Sequence, residues 1–118
     1  MILLFEDDDL VRRATERMLQ RLGAQVMTGA SSGDAVRKLR DADTAPSWII
    51  ADYWFSRQEN GLAAANAVRE ALGSAVRCLV ITGDSSTEVA DSVKKAGFVL
   101  LRKPINIDSF ISVLEEDG

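Results

Sequence analysis

The sequence has no histidine, a single cysteine and two prolines in 118 residues. Without histidine the chain has no Ser-His-Asp or Cys-His catalytic centre and no Cys₂His₂ zinc site, and it cannot carry a phosphohistidine. One cysteine excludes an internal disulfide and thiolate-rich metal sites, and it suits a reducing compartment. Binding of hard cations by carboxylates is the metal chemistry that stays open.

A strong positive charge and long apolar runs are also missing. Lysine and arginine number 14 against 18 acidic residues, a net charge of −4, so we expect no direct contact with nucleic acid. No apolar stretch reaches the length that spans a membrane, and we expect no membrane contact. Because Met1 is followed at once by an apolar segment without a cationic leader, we expect no signal peptide and a cytoplasmic location.

What the sequence does contain is the composition of an ordinary folded domain, with 47% hydrophobic and 27% charged residues. No linker, repeat or low-complexity tract divides it, so we expect one domain over residues 1–118. Short apolar runs, at 2–5, 25–28, 48–51, 78–81 and 98–101, alternate with segments of helical periodicity. Four runs are nearly all apolar, as in strands buried on both faces, and the second is mixed, which favours an edge. The alternation predicts five β–α units and a doubly wound parallel α/β sheet.

The segments between the runs carry apolar residues at helical spacing. In the first helix we expect one core-facing side formed by Leu10, Ala14, Met18 and Leu22, ended by Gly23. The later helices are indicated by Ala35, Val36 and Leu39; by Leu62, Ala65, Val68 and Leu72 before Gly73; by Val89, Ala90 and Val93 before Gly97; and by Ile107, Phe110, Ile111 and Leu114 after a cap at Asn106.

Polar residues follow four of the five runs. They are Glu6-Asp7-Asp8-Asp9, Asp52, Thr82-Gly83-Asp84 and Lys103-Pro104. In such a sheet the ligand lies at the carboxyl ends of the strands. Clustered carboxylates repel one another and need a cation, and without His or Cys they suit Mg²⁺. A carboxylate can then act as nucleophile toward a phosphoryl group, with the metal, a lysine and a hydroxyl meeting the developing charge.

These residues, in this order, resemble the receiver domain of two-component response regulators over essentially the whole chain. The family pattern is an acidic pair after strand one, a lone Asp after strand three, Thr or Ser after strand four and Lys-Pro after strand five. The matching residues here are Glu6, Asp7, Asp52, Thr82, Lys103 and Pro104. The resemblance implies a flavodoxin-like fold with five helices and strand order 2-1-3-4-5.

The resemblance also implies roles for these residues. Asp52 would accept a phosphoryl group from a histidine kinase or a phosphotransfer domain. Asp7, Asp52 and the backbone carbonyl of Trp54 would bind Mg²⁺, and Glu6 would assist through water. The domain would catalyse only its own phosphorylation and dephosphorylation, so we do not class it as an enzyme.

The switch is implied in the same way. Lys103 would pair with the phosphoryl group, Thr82 would move toward it, and the Lys103–Pro104 peptide bond would be cis. The face formed by helix four, strand five and helix five would then change, and a homodimer through that face is one expectation.

Three features depart from the family pattern or narrow it. Leu100 stands where the family often has an aromatic residue, which puts the usual coupling to Thr82 in question. Trp54 lies two residues after Asp52, where its indole would shield an acyl phosphate from water. The stretches 80–84 and 100–105 resemble the receiver at the C-terminus of hybrid sensor histidine kinases, with a free-standing receiver as the alternative.

Two other functions are alternatives. Asp7-Asp8-Asp9-Leu10-Val11 fits the D-x-D-x-V motif of haloacid-dehalogenase-like phosphatases, and Gly83-Asp84 echoes their later acidic motif. Against this, Lys103 follows that motif instead of preceding it, Asp52 would have no role, and the chain is short for that fold. A degenerate receiver that only docks proteins is the other alternative, and the intact set of site residues argues against it.

Overall fold

Five parallel strands alternate with five helices in the computed structural model, which describes residues 1–73, 75–83 and 86–115. The strands are β1 (Ile2–Phe5), β2 (Val26–Thr28), β3 (Trp48–Asp52), β4 (Arg77–Thr82) and β5 (Val99–Arg102). The helices are α1 (Asp9–Arg21), α2 (Ser32–Asp41), α3 (Gly61–Leu72), α4 (Thr87–Lys95) and α5 (Ile107–Glu115). The sheet order is β2-β1-β3-β4-β5, which confirms the predicted fold class and topology.

The sheet separates two apolar clusters because successive side chains of a strand point to opposite faces. Leu3, Ile49 and Val80 belong to the cluster that includes residues of α2, α3 and α4. Leu4, Ile50 and Leu79, their neighbours along the same strands, belong to the cluster that includes residues of α1 and α5. The two layers of helices therefore cover both faces of the sheet and leave the carboxyl ends of the strands uncovered.

The helices begin and end at residues with recognisable capping chemistry. Asp8 caps α1 by accepting hydrogen bonds from the amides of Leu10 (2.9 Å) and Val11 (3.1 Å). Gly73 ends α3 in the left-handed conformation with φ of 61°, which favours glycine. None of the described helices is both long and apolar enough to cross a membrane.

The predicted core face of α1 is wrong for Leu10, Ala14 and Leu22, which are exposed, whereas Met18 is half-buried and packs against the core. Thr15 and Leu19 are the buried residues of this helix, whereas Leu10 is 79% and Leu22 is 43% exposed. Each step of four residues turns about 40° beyond a full helical turn, so an i, i+4 series drifts around the helix. Burial of Thr15 is tolerated because its hydroxyl donates a hydrogen bond to the carbonyl of Val11 (2.8 Å).

The burial of β5 also differs from the expectation. Its apolar sequence predicted a strand buried on both faces, but β5 lies at one edge of the sheet and is partly exposed, with Val99 at 37%. The mixed run that forms β2 lies at the other edge, as expected. Apolar sequence alone does not separate the last strand of a sheet from an inner one.

Cys78 on β4 is a core residue. It is 3% exposed, and burial raises the pKa of its thiol to about 12. The thiol is therefore neutral near pH 7 and unsuited to nucleophilic chemistry.

Candidate functional site

The predicted site residues follow the carboxyl ends of β1, β3, β4 and β5 and therefore lie together at one end of the strands. Phe5 pairs with Ala51, so Glu6 and Asp52 follow at the same level. Thr82 pairs with Arg102, and the amide of Lys103 donates a hydrogen bond to the carbonyl of Thr82 (2.8 Å). The parallel register thus gathers residues that are up to 97 positions apart in sequence (103 − 6).

Asp52 is held from two sides at the end of β3. The ammonium Nζ of Lys103 lies 3.0 Å from its Oδ2, and the amide of Trp54 donates to its Oδ1 (3.2 Å). The Asp52 side chain is 12% exposed and that of Lys103 is 37% exposed. A carboxylate in this position is oriented by two donors and still meets solvent at the rim of the site.

Glu6 is a buried acid beside Asp52, only 8% exposed. Its pKa is raised, first by burial and then by the negative charge of Asp52 and a hydrogen-bonding contact with that carboxylate. The amide of Asp8, which donates to Glu6 Oε2 (3.2 Å), and the charge of Lys103 oppose that rise in the pKa. Two acids thus crowd one position with incomplete compensation of their charge.

This crowding of acids fits a hard divalent cation. Carboxylate and carbonyl oxygens are the donors that Mg²⁺ prefers, and it takes few protein ligands and keeps several waters. Asp7 is exposed and makes no hydrogen bond or ion pair with other described residues. Within residues 1–73, 75–83 and 86–115, no three acidic or cysteine side chains form a metal cluster by themselves. The structure therefore joins Glu6 with Asp52 but does not bring Asp7 into a closed cluster with them.

The remaining predicted residues surround Asp52 from β4 and β5. Thr82 is fully buried, while Gly83 is exposed, and a Cβ at Gly83 would lie 4.0 Å from Cδ of Lys103. Leu100 is half-buried and packs against the apolar cluster that includes residues of α2, α3 and α4. The Lys103–Pro104 peptide bond is cis. Asp84, part of the motif predicted after β4, lies outside the described residues.

The β3–α3 loop (residues 53–60) carries the aromatic residues that follow Asp52. Trp54 is 61% exposed and meets the ring of Tyr53 edge to face, with 4.9 Å between ring centroids. Phe55 is 2% exposed and packs on Phe5 with centroids 5.1 Å apart. One aromatic residue therefore anchors the loop in the core while the indole stays at the surface beside Asp52.

Gly61, at the start of α3, is a site residue that sequence reasoning missed. Its amide donates to the carbonyl of Tyr53 (2.8 Å), which closes the β3–α3 loop at its neck. A Cβ at this position would overlap the carbonyl oxygen of Asp52 and lie 2.8 Å from its carbonyl carbon. Only glycine permits this approach. An Asn-Gly pair is typical of turns, and nothing in the sequence indicates the contact with Asp52.

Comparison with known proteins agrees with this geometry. Among solved structures, the chain is similar to the chemotaxis protein CheY4 of Vibrio cholerae, with 25% identity and a TM-score of 0.82 over 98% of this chain and 95% of that one. It shares its fold with the receiver domain of NtrX from Brucella abortus, with 24% identity, a TM-score of 0.83, and 98% and 96% coverage.

A longer curated protein is also similar. Ethylene receptor 2 of Oryza sativa subsp. japonica is 26% identical over 109 residues, which is 90% of this chain and 14% of the receptor. The chain therefore spans a small part of the curated relative it matches. Residues 2–115 match the family model described as the response regulator receiver domain. The chain belongs to the family of response regulator receiver domains, which act in two-component signalling.

Proposed function

We propose that this receiver domain accepts a phosphoryl group on Asp52 in a two-component phosphorelay. The observation that carries the proposal is the position of the Asp52 carboxylate, 3.0 Å from the ammonium of Lys103 and beside the buried acid Glu6. A nucleophilic carboxylate, a cation and a second acid at the carboxyl ends of parallel strands form the arrangement that phosphoryl transfer needs.

The transfer is a displacement at phosphorus. An oxygen of Asp52 forms the new P–O bond while the P–N bond of the donor phosphohistidine breaks, and the electron pair of that bond stays on the imidazole. The donor is a histidine kinase or phosphotransfer domain, and it is a separate domain because this chain has no histidine of its own. Lys103 then pairs with the phosphoryl oxygens, and the hydroxyl of Thr82 turns toward them as the switch.

The metal in this proposal is Mg²⁺, which Asp7, Asp52 and the carbonyl of Trp54 would hold, with Glu6 assisting through water. When bound, it would neutralise charge on the phosphoryl oxygens. The crowding of Glu6 and Asp52 supports this assignment, because the two acids lack a full set of positive partners. The exposed Asp7 has its carboxylate free to join such a site.

The context of the domain follows from the same proposal. Similarity to a receptor of which this chain covers 14% supports a receiver that is one part of a longer protein, such as a hybrid kinase. The reduced thiol of Cys78 suits the cytoplasm. The output face would be α4, β5 and α5, where β5 is an exposed edge that a second copy can meet in a homodimer.

The deciding experiment is incubation with acetyl phosphate and Mg²⁺ followed by intact mass spectrometry. We expect the wild type to gain one phosphoryl group, and Asp52→Ala to gain none. Asp91→Asn, which changes an exposed acid on α4, is the matched control and should behave like the wild type. Equal labelling of Asp52→Ala and wild type would refute Asp52 as acceptor.

The labelling assay and an assay for phosphomonoester hydrolysis together separate the alternatives. A protein that gains no phosphoryl group under any of these conditions would be a docking receiver. Steady turnover of free phosphomonoesters would support the phosphatase hypothesis. The match of residues 2–115 to the receiver domain model argues against that hypothesis.

A further inference from the structure

Glu59, near the end of the β3–α3 loop, is bonded to the first residue of α2. Its Oε1 accepts a hydrogen bond from the amide of Ser32 (2.9 Å), and its Oε2 accepts one from the Ser32 hydroxyl (2.6 Å). The two residues are 27 positions apart in sequence, and both are half-buried. The contact therefore joins the β3–α3 loop to the start of α2, near the carboxyl ends of the strands.

The chemistry of this contact makes it a strong one. The first amides of a helix have no partner within the helix, and a carboxylate there is favoured by the helix dipole. Hydrogen bonds to an ionised acceptor are shorter and stronger than neutral ones. Both oxygens of Glu59 are used, which fixes the orientation of the carboxylate as well as its position.

The contact reaches Asp52 through a short, internally bonded stretch of chain. The amide of Glu59 donates to Oγ of Ser56 (3.0 Å), and the amide of Ser56 donates to the carbonyl of Glu59 (3.1 Å), which closes a tight turn. Ser56 directly follows Phe55, the buried anchor of the loop. Trp54, which donates to Asp52 Oδ1, comes immediately before that anchor.

No proline stiffens this loop, since residues 53–60 contain none. Among the described residues, the ends of the loop are fixed by hydrogen bonds from the Tyr53 amide to the carbonyl of Ile81 (2.8 Å) and from the Gly61 amide to the carbonyl of Tyr53, and by Asn60, which caps α3. Between these ends the loop is held by the Phe55 ring in the core and by the Glu59 carboxylate on α2. Loss of the Glu59 contact therefore detaches the loop from α2 and leaves residues 56–59 held by their own turn and by the neighbouring cap at Asn60.

We propose that Glu59 is a positioning residue for the phosphorylation site, which holds the β3–α3 loop on α2 so that Trp54 and Asp52 keep their places. The proposal rests on the proposed function, because it assigns to this loop the Trp54 carbonyl as a ligand for Mg²⁺. Glu59 is not among the residues assigned to the metal or to the phosphoryl group. Its effect passes through the chain between residues 59 and 52.

The test compares Glu59→Ala and Ser32→Ala with Ser31→Ala. Ser31 caps the same helix, accepting a hydrogen bond from the amide of Asp34 (3.1 Å), and it makes no hydrogen bond with the β3–α3 loop among the described residues. Ser31→Ala therefore weakens the start of α2 without releasing the loop. Glu59→Gln is the conservative variant, since its amide can accept from the Ser32 amide and donate to the Ser32 hydroxyl.

Two readouts are independent of phosphorylation. Hydrogen exchange of the metal-free protein reports opening of residues 53–60. Titration with Mg²⁺ followed by the fluorescence of Trp54 reports metal affinity, because Trp54 is 61% exposed and the other tryptophan, Trp48, is buried. The third readout is the rate of labelling by acetyl phosphate.

We expect Glu59→Ala to speed exchange in residues 53–60 and to weaken Mg²⁺ binding roughly tenfold, the lower end of the loss that follows removal of support from a metal ligand. Glu59→Gln should recover most of this loss. The double variant Glu59→Ala and Ser32→Ala should bind Mg²⁺ no more weakly than Glu59→Ala alone, because both substitutions remove the same contact. Ser31→Ala should lower stability but leave loop exchange and Mg²⁺ affinity near the wild-type values.

Equal effects of Glu59→Ala and Ser31→Ala on loop exchange and Mg²⁺ affinity would overturn the proposal, because Glu59 would then act only on helix stability. Wild-type affinity in Glu59→Ala would also overturn it. Failure of the proposed function has a different signature, in which the wild-type protein itself is not labelled at Asp52.

Discussion

Lys103 and Asp52, 51 positions apart, form an ion pair of 3.0 Å that joins the chain after β5 to the end of β3. The side chain of Asp52 is 12% exposed, whereas that of Lys103 is 37% exposed. The cation is therefore the solvent-facing partner of this pair. The Lys103 ammonium can therefore pair with the free carboxylate of Asp52 and, after phosphorylation, with the phosphoryl oxygens.

Replacement of Lys103 should affect chemistry more than stability. We expect Lys103→Met to lower the rate of labelling by acetyl phosphate by roughly a hundredfold, because a preorganised cation next to the developing charge is lost. The free energy of unfolding should fall by about 1 kcal/mol or less, since the pair is partly screened by solvent. Lys95→Met, at the exposed end of α4, is the control. Equal labelling rates in the two variants would contradict this role.

Substitution of Gly61 should damage the site from the backbone. Because a Cβ there overlaps the carbonyl oxygen of Asp52, Gly61→Ala must displace β3 or α3. We expect a loss of about 2 kcal/mol in urea unfolding, together with slower labelling of Asp52. Gly33→Ala is the matched control, because a Cβ at Gly33 meets nothing closer than 3.8 Å. Inside α2 it should leave stability unchanged or raise it by up to about 1 kcal/mol.

The sequence allowed prediction of the fold and of most residues at the site edge. Short apolar runs indicated the strands, and parallel strands bring residues such as Asp52 and Lys103 together whenever each directly follows its strand. The cap at Asn106 and the helix ends at Gly73 and Gly97 were predictable because capping depends only on residues close together in the sequence.

Contacts between distant segments could not be predicted in this way. Glu59 reads as an ordinary loop acid, and its contact with Ser32 depends on how the β3–α3 loop lies over α2. The exposure of Leu10 depends on which side of α1 the sheet covers. Both features are set by packing between elements and leave no periodic signal in the chain.

Asp34 should make the stability of α2 depend on pH. The amide of Ala30 donates to its Oδ2 (3.0 Å), and this hydrogen bond, with help from Lys38 and Arg37, lowers the pKa of the Asp34 carboxyl. A lowered pKa in the folded state means that the charged form stabilises the protein above the unfolded-state pKa. That stabilisation is lost as the pH falls through the folded-state value.

We expect Asp34→Asn to lower the free energy of unfolding by about 0.5 kcal/mol near pH 7, the usual contribution of a charge at a helix N-terminus. The difference from wild type should shrink below a pH of about 4, where the carboxyl of the unfolded chain is protonated. Urea unfolding at several pH values measures this difference in the free energy of unfolding. Asp91→Asn, which changes an exposed acid on α4, is the control. A difference that stays constant from pH 7 to pH 3 would show that the charge of Asp34 does not stabilise the fold.

Trp54 should set the lifetime of the acyl phosphate on Asp52. The indole stands at the surface two residues after Asp52, and its own amide donates to Asp52 Oδ1 (3.2 Å). Bulk at this position limits the approach of water to the phosphoryl group. We expect Trp54→Ala to lower the barrier to hydrolysis by about 1 kcal/mol, which shortens the half-life of the phosphorylated protein roughly fivefold.

The control for this effect is the metal affinity of the same variant. The backbone carbonyl of Trp54 is kept in Trp54→Ala, so Mg²⁺ binding, measured by calorimetry, should not change. Trp54→Phe retains much of the bulk and should fall between the wild type and Trp54→Ala. Loss of the edge-to-face contact with Tyr53 should cost about 1 kcal/mol of stability or less. If the phosphorylated Trp54→Ala variant decays at the wild-type rate with Mg²⁺ binding intact, the indole does not shield the site. Access of water would then depend on other residues around Asp52.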